Sequence, residues 1–208
     1  MDYNGIEVTW DGHASLRFID HSFTVAVDPY SPVSPEFKAD IVLLTHMDEG
    51  HYDPGKLEEV CGDRTVLVAP ASMEDEDVPC KDTEFIEEGE TVDIYNVEIE
   101  AVPMHNEHHD RGEGIGYRFV MGGNSFYVAG DTGFFEDSQD LENRVGMAFL
   151  PIDGKFTMDI EDAVKMAKRV KPSVVAPYHY GEPFFRDVNP RPLEAALADI
   201  NIDCVLLD

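Results

Sequence analysis

The apolar run Ala39-Asp40-Ile41-Val42-Leu43-Leu44 leads directly into Thr45-His46-Met47-Asp48-Glu49-Gly50-His51-Tyr52-Asp53. A run of this kind reads as a buried strand, which requires a layered fold around it. Pro54 and Gly55 stop the loop, and Lys56-Leu57-Glu58-Glu59-Val60 begins a helix-like pattern. Two histidines and three acids therefore stand in one short loop at a strand end. There the strand supplies rigidity and the loop supplies access. His, Asp and Glu are the ligand types of zinc and similar transition metals. Taken alone, the stretch reads equally well as a polar strand-to-helix turn.

The same placement recurs. Val97-Glu98-Ile99-Glu100-Ala101-Val102-Pro103-Met104 ends in His105, Ser125-Phe126-Tyr127-Val128-Ala129-Gly130 in Asp131, and Ser173-Val174-Val175-Ala176-Pro177-Tyr178 in His179. One histidine after a strand is more often structural than a ligand. Four strand-like segments that each deliver a metal-ligand type at the same end favour a metal site fed from several strand ends. Gly130 before Asp131 permits close backbone approach.

The remaining pattern is that of an α/β chain. Ile6 to Trp10, Ala14 to Ile19 and Phe23 to Val27 alternate or run apolar between Gly, Asp and His turns. Asp28-Pro29-Tyr30-Ser31-Pro32 breaks the pattern into a loop. Further strands are predicted at Thr65–Ala69, Thr83–Ile86, Thr91–Ile94, Val97–Val102, Tyr117–Met121, Ser125–Ala129, Ala148–Ile152, Ser173–Ala176 and Cys204–Leu207. Gly122-Gly123-Asn124 marks a hairpin. Ile160, Ala163, Val164, Ala167 and Val170 follow the spacing of one buried helix face, over about Asp159 to Val170, with Thr157 or Asp159 as cap. A last helix is predicted near Leu193–Leu197. The expected architecture is one domain over residues 1–208 with two sheets' worth of strands.

With these segments in order, the chain resembles the metallo-β-lactamase-fold hydrolases, in particular their ascorbate-phosphate-lactonase-like branch of uncharacterised metal-dependent hydrolases. The resemblance runs through Trp10-Asp11-Gly12-His13-Ala14-Ser15, Val27-Asp28-Pro29, Ala39 to His46, Ala129-Gly130-Asp131-Thr132, Pro151 to Met158, and Lys171 to Gly181. It implies an αββα sandwich of two mixed β-sheets flanked by helices. It also implies a centre of one or two divalent metal ions, zinc first, with manganese or iron as alternatives. A metal-bound hydroxide would act on an ester, lactone or phosphodiester of a small-molecule substrate. On the family's His-x-His-x-Asp-His loop, His46 matches the first histidine and His51 the last. His105 falls at or near the next histidine ligand, Asp131 matches the bridging carboxylate and His179 the final histidine. His109, in His109-Asp110-Arg111-Gly112, is implied as a substrate contact or proton-transfer group, with a polar loop histidine as the alternative.

Two departures separate the chain from that pattern. Asp48 stands where the second signature histidine would be, an oxygen ligand that shifts preference toward manganese or iron. Gly50 stands where the signature aspartate would be and can neither ligate nor act as a base. His51, Asp131 and His179 remain for that side, enough for three protein ligands plus water, with Glu49 or Asp53 as substitutes. His13 is expected to brace the first hairpin near the site, and His21 to be a turn residue. Tyr180 and Thr157 either line the pocket or serve packing and capping. The competing reading is a catalytically silent binding or scaffold member with a degenerate metal site.

Three scattered cysteines, Cys61, Cys80 and Cys204, with no CxxC pair, argue for a reducing cytoplasm without a disulfide framework. The first residues lack the basic and apolar regions of a signal peptide, and no run approaches the roughly 18 apolar residues of a membrane helix. Asp plus Glu total 43 against 15 Lys plus Arg, a formal net charge of −28. No basic patch for nucleic acid is visible. With 43% hydrophobic residues, disorder does not explain the acidity. The remaining explanation is a halophilic origin, since the Debye length falls to about 3 Å at 1 M salt and screens self-repulsion. Oligomeric state leaves no mark in the sequence. The melting temperature is expected to rise from dilute buffer to molar salt. A thermal melt that is flat across that range would rule the halophilic reading out.

Overall fold

Two sheets of seven strands are laid down in the same order, each an antiparallel meander of four strands followed by three parallel ones. The computed structural model describes residues 1–30 and 33–207, so Ser31 and Pro32 of the proline-bounded loop and the terminal Asp208 lie outside the described residues, as do the side chains of residues 137 and 139. The first sheet contains β1 (Asp2–Tyr3), β2 (Ile6–Gly12), β3 (Ser15–Asp20), β4 (Phe23–Val27), β5 (Ala39–Leu43), β6 (Cys61–Pro70) and β7 (Asp82–Ile86). The second contains β8 (Thr91–Ile94), β9 (Val97–Met104), β10 (Gly114–Met121), β11 (Asn124–Val128), β12 (Met147–Pro151), β13 (Val174–Tyr178) and β14 (Asp203–Cys204). Met121 pairs with Asn124, so Gly122 and Gly123 form a two-residue turn, and both take the positive φ (57° and 78°) that such a turn needs.

The inner faces of the sheets meet in a shared core. Val8, Phe18, Val25, Ile41 and Leu43 from the first pack against Ile99, Tyr117, Phe119, Phe126, Phe149 and Tyr178 from the second. Phe18 meets Phe119 and Phe149 edge to face, with ring centroids 4.9 and 5.3 Å apart. Helix α1 (Pro54–Val60) covers the outside of the first sheet through Leu57 and Val60. Helices α2 (Ile160–Val170) and α3 (Arg191–Ala198) cover the second through Ala163, Met166, Ala167, Leu193 and Leu197. The layers run α, β, β, α, as the resemblance implies. No helix among the described residues is long and apolar enough to cross a membrane.

Helix boundaries show local chemistry at work. Asp159 caps α2 by accepting from the Asp162 N–H at 2.9 Å, and Lys171 closes it in a left-handed conformation. At α1 the expectation needs correcting. Pro54 opens the helix instead of merely stopping the loop, because its missing N–H costs nothing in the first turn. Asp53 is the N-cap, accepting from Lys56 N–H at 3.0 Å, so the capping role takes a carboxylate oxygen considered as a substitute ligand. The cysteine reading also needs correcting. Cys61 and Cys80 form a disulfide, with Cα atoms 5.9 Å apart, while Cys204 is free. Cys61 opens β6 and Cys80 lies just before the parallel neighbour β7, so both sit at the same end of the sheet. Spacing in the chain carries no sign of that adjacency, and the argument from cysteine usage for a reducing compartment is lost.

β10 brings the second sheet against the His46 loop. The Ile115 N–H donates to the Thr45 carbonyl at 3.0 Å. Gly114 lies so close that an added Cβ would stand 2.8 Å from the Thr45 carbonyl oxygen and 2.9 Å from His46 Cβ. Gly114→Ala is therefore expected to cost about 1–3 kcal/mol by overpacking. Chemical denaturation measures this; an unchanged midpoint would show that the contact yields freely.

Candidate metal centre

The ligand-type side chains of the centre come from beyond strand ends of both sheets, and the rings of His46, His51 and His179 are each oriented by an oxygen at Nδ1. Thr45 and His46 follow β5. The Thr45 N–H and hydroxyl both donate to the buried Asp28 carboxylate that follows β4, at 2.8 and 2.6 Å. His46 Nδ1 lies 2.9 Å from the Thr45 hydroxyl, and His51 Nδ1 lies 2.8 Å from Asp28 Oδ2. Across the seam, His179 Nδ1 lies 3.0 Å from Asp153 Oδ2, just beyond β12. Asp153 also accepts from the Lys155 and Phe156 N–H groups and from the Thr157 hydroxyl, which assigns Thr157 to carboxylate support instead of helix capping.

These partners decide the tautomers. A carboxylate can only accept, so His51 and His179 carry their hydrogens on Nδ1, and each neutral ring presents a bare Nε2. Those two atoms and Asp131 Oδ1 form a triangle with edges of 3.2, 3.2 and 3.0 Å. Three lone-pair atoms at these separations repel unless a cation sits among them. Donors around a tetrahedral ion with bonds of 2.0–2.1 Å stand about 3.3 Å apart, so the triangle fits such an ion. His46 Nε2 and Asp131 Oδ1 are moreover buried without a hydrogen-bond partner.

The electrostatics agree. Burial disfavours a charged His51, but Asp131 and Asp28 outweigh it and push its pKa up to about 10, so without another cation a proton fills the triangle. Asp131 is held well below the usual carboxylate range by His179 and His51, against burial. Burial and the neighbouring His51 push His46 well below its ordinary value, leaving it neutral.

A second group adjoins the first. His46, Asp48 and His109 bring potential ligand atoms within 4.8 Å of one another. His109 Nε2 is 3.7 Å from Asp48 Oδ2, and Asp131 Oδ2 is 3.9 Å from His46 Nε2. One Asp131 oxygen thus faces each group.

His105 is not brought in. Among the described residues it belongs to none of the groups whose potential ligand atoms lie within 4.8 Å of one another. The His105 ring packs on Phe135 at 5.0 Å and lines a neighbouring cavity with Asn106 and His108. The loop then returns to the centre at His109, whose ring lies 4.8 Å from that of His46. Asn106 shapes this return. Its Oδ1 accepts from the His108 and His109 N–H groups at 2.6 and 3.0 Å, and its Nδ2 donates to the Asp131 carbonyl at 2.7 Å.

Sequence reasoning did not single out Asp28 or Asp153 as functional. Asp28 carries the same strand-end signal as the ligands, whereas the role of Asp153 rests on a contact with a residue 26 positions away. His21 is exposed in a turn, as expected, and Tyr180 stacks on Trp10 with centroids 4.8 Å apart. Above the two groups lies a cavity of about 340 Å³. Its lining includes Asp48, Glu49, His108, His109, Phe156, Phe184 and Phe185.

Comparison with known proteins agrees with this geometry. Residues 7–179 match the family model of the beta-lactamase superfamily domain. A UPF0173 metal-dependent hydrolase of Thermoplasma acidophilum is 30% identical over 191 residues, covering 84% of this chain and 83% of its own. A crystal structure from Parabacteroides distasonis, carrying the name of a metal-dependent hydrolase, superposes with a TM-score of 0.87 at 30% identity, over 98% of this chain and 94% of that one. A metallo hydrolase of Ignicoccus hospitalis shares the fold, with a TM-score of 0.81 at 22% identity over 98% of this chain and 95% of its own. The chain belongs to the metallo-β-lactamase superfamily, among its UPF0173 metal-dependent hydrolases.

Proposed function

We propose that the chain hydrolyses a small, uncharged carboxylic ester or lactone at a centre of two divalent ions. The triangle of His51 Nε2, His179 Nε2 and Asp131 Oδ1 is the observation that carries this reading. His51, His179 and one oxygen of Asp131 would hold one ion, and His46, Asp48, His109 and the other oxygen of Asp131 the second. Bound ions of this kind lower the pKa of water toward 7 and polarise a scissile carbonyl. Zinc suits the first set, while the carboxylate of Asp48 gives the second a harder character open to manganese or iron.

The chain's own residues then sort by task. Asp28, Thr45 and Asp153 hold the rings in the tautomer that presents Nε2. His109 acts as a ligand on this reading, so Glu49 and His108 are the cavity-lining groups available to move protons at the mouth. Phe156, Phe184 and Phe185 add apolar surface to the cavity and would exclude water from a bound substrate there. No Lys or Arg lines this cavity among the described residues, which favours a neutral carbonyl compound over a phosphodiester. The lactonase-like resemblance points the same way.

Metal analysis of the purified protein, followed by assays on ester, lactone and phosphodiester panels, tests the proposal. His46→Ala and His179→Ala are each expected to lower hydrolysis about 100-fold or more. Full retention of biological function by both variants, with no hydrolysis by the parent, would establish the silent-scaffold reading instead. Asp28→Asn removes an orienting acceptor and is expected to weaken ion binding by about 10–100-fold.

The raised His51 pKa makes a further expectation. In the metal-free chain its proton contributes stability that is present below the unfolded pKa of about 6.5 and is lost as pH rises toward 10. An arriving ion must expel that proton. Calorimetric titration at pH 8 in buffers of different ionisation heat should show about one proton released per chain. Zero release would refute this assignment of the protonation state.

A further inference from the structure

His13 belongs to neither ligand set above, yet its ring is buried against one of them. The backbone there takes φ 50°, and its carbonyl accepts from the His179 N–H at 3.0 Å and from the Trp10 ring N–H at 2.8 Å. The ring lies with its centroid 4.0 Å from that of His179 and 5.5 Å from that of His51. His13, His51 and His179 each bring a potential ligand atom within 4.8 Å of the others, and all three residues are buried. Among the described residues no hydrogen bond ties down the His13 ring, in contrast to the Nδ1 atoms of His46, His51 and His179.

The reason the ring can stand there lies at residue 50. A Cβ on Gly50 would be 2.5 Å from His13 Nε2 and 2.7 Å from its Cδ2. Gly50 has φ 102°, a region that side-chain-bearing residues rarely enter. The imidazole therefore fills the volume that any side chain at residue 50 would claim, directly beside His51.

We propose that His13 is the fourth protein donor to the ion held by His51, His179 and Asp131, supplied from the first hairpin because residue 50 supplies nothing. The proposal rests on the two-ion reading above. It replaces an anionic donor position with a neutral one, making that ion more electron-poor. Each ion would then face four protein donors, and an attacking water would have to join one of them as a fifth ligand.

Cobalt(II) titration of the metal-stripped full chain provides the test, comparing the parent with His13→Asn, since asparagine tolerates the left-handed backbone. The parent should bind two equivalents. In His13→Asn one of them should weaken by more than about 100-fold, beyond the 10–100-fold cost of losing a merely orienting partner. NMR of the parent's cobalt form should show hyperfine-shifted imidazole N–H signals from five histidines: His13, His46, His51, His109 and His179. That spectrum needs no variant, so it decides the matter even where His13→Asn misfolds. Four such signals, or a folded variant that keeps both affinities within about tenfold, would reduce His13 to a packing residue while leaving the two-ion centre standing. Failure of the parent to take up any ion would overturn both readings.

Discussion

Three lone-pair atoms from three separate strand ends face one another across about 3 Å in the interior of this protein, and much of the surrounding structure exists to keep them there. The two rings could escape the conflict by exchanging tautomers, but Asp28 and Asp153 forbid it by accepting at Nδ1. Those carboxylates are themselves held by backbone N–H groups and hydroxyls on neighbouring turns. A cation between the rings would offset the cost of burying so many acceptors, alongside the apolar packing of Phe18, Phe119, Phe126 and Phe149 in the shared core.

The division of labour follows the repeated topology. In the centre proposed above, the first sheet's carboxylate after the fourth strand, Asp28, orients, and the residues after the fifth, His46 and His51, would ligate. In the second the carboxylate after the fourth strand, Asp131, would ligate, and the one after the fifth, Asp153, orients a histidine from the sixth. The centre is thus shared between two similar halves that have exchanged roles at corresponding positions. The loop carrying Asp48 and Gly50 belongs to the first half, and the hairpin carrying His13 stands next to it in space, so a change at one can be answered at the other.

How much of this could be read from the chain depended on the range of the interaction responsible. Most strands, the Gly122-Gly123 turn and the α2 cap are set by neighbours a few residues apart and appear close to where the pattern places them, whereas the strand expected over Cys204–Leu207 is only Asp203–Cys204. His46, His51, Asp131 and His179 were visible because a strand end is a local signal with a predictable direction. His105 shares that signal, yet its ring packs on Phe135 and stays out of the centre, a contact between residues 30 positions apart that no local pattern marks. The compensating return of the chain at His109 depends on Asn106 hydrogen bonds that no periodicity encodes. From the sequence His13 gives the sign only of a brace, because its proximity to the centre arises from a turn with positive φ and a pairing to residue 179. The Cys61–Cys80 disulfide escaped for a like reason: parallel strands bring distant residues to one sheet end without any nearby mark.

The distance in sequence between the donors also governs when the centre comes into being. His51 and His179 are 128 residues apart, and contacts of such range close late because a large loop must be ordered first. An ion meeting the chain as it leaves the ribosome finds only the loop from His46 to His51, a weak and incomplete chelator. The full donor set exists only after both sheets have closed on one another, so the proposed centre would capture metal tightly only in chains that have finished folding.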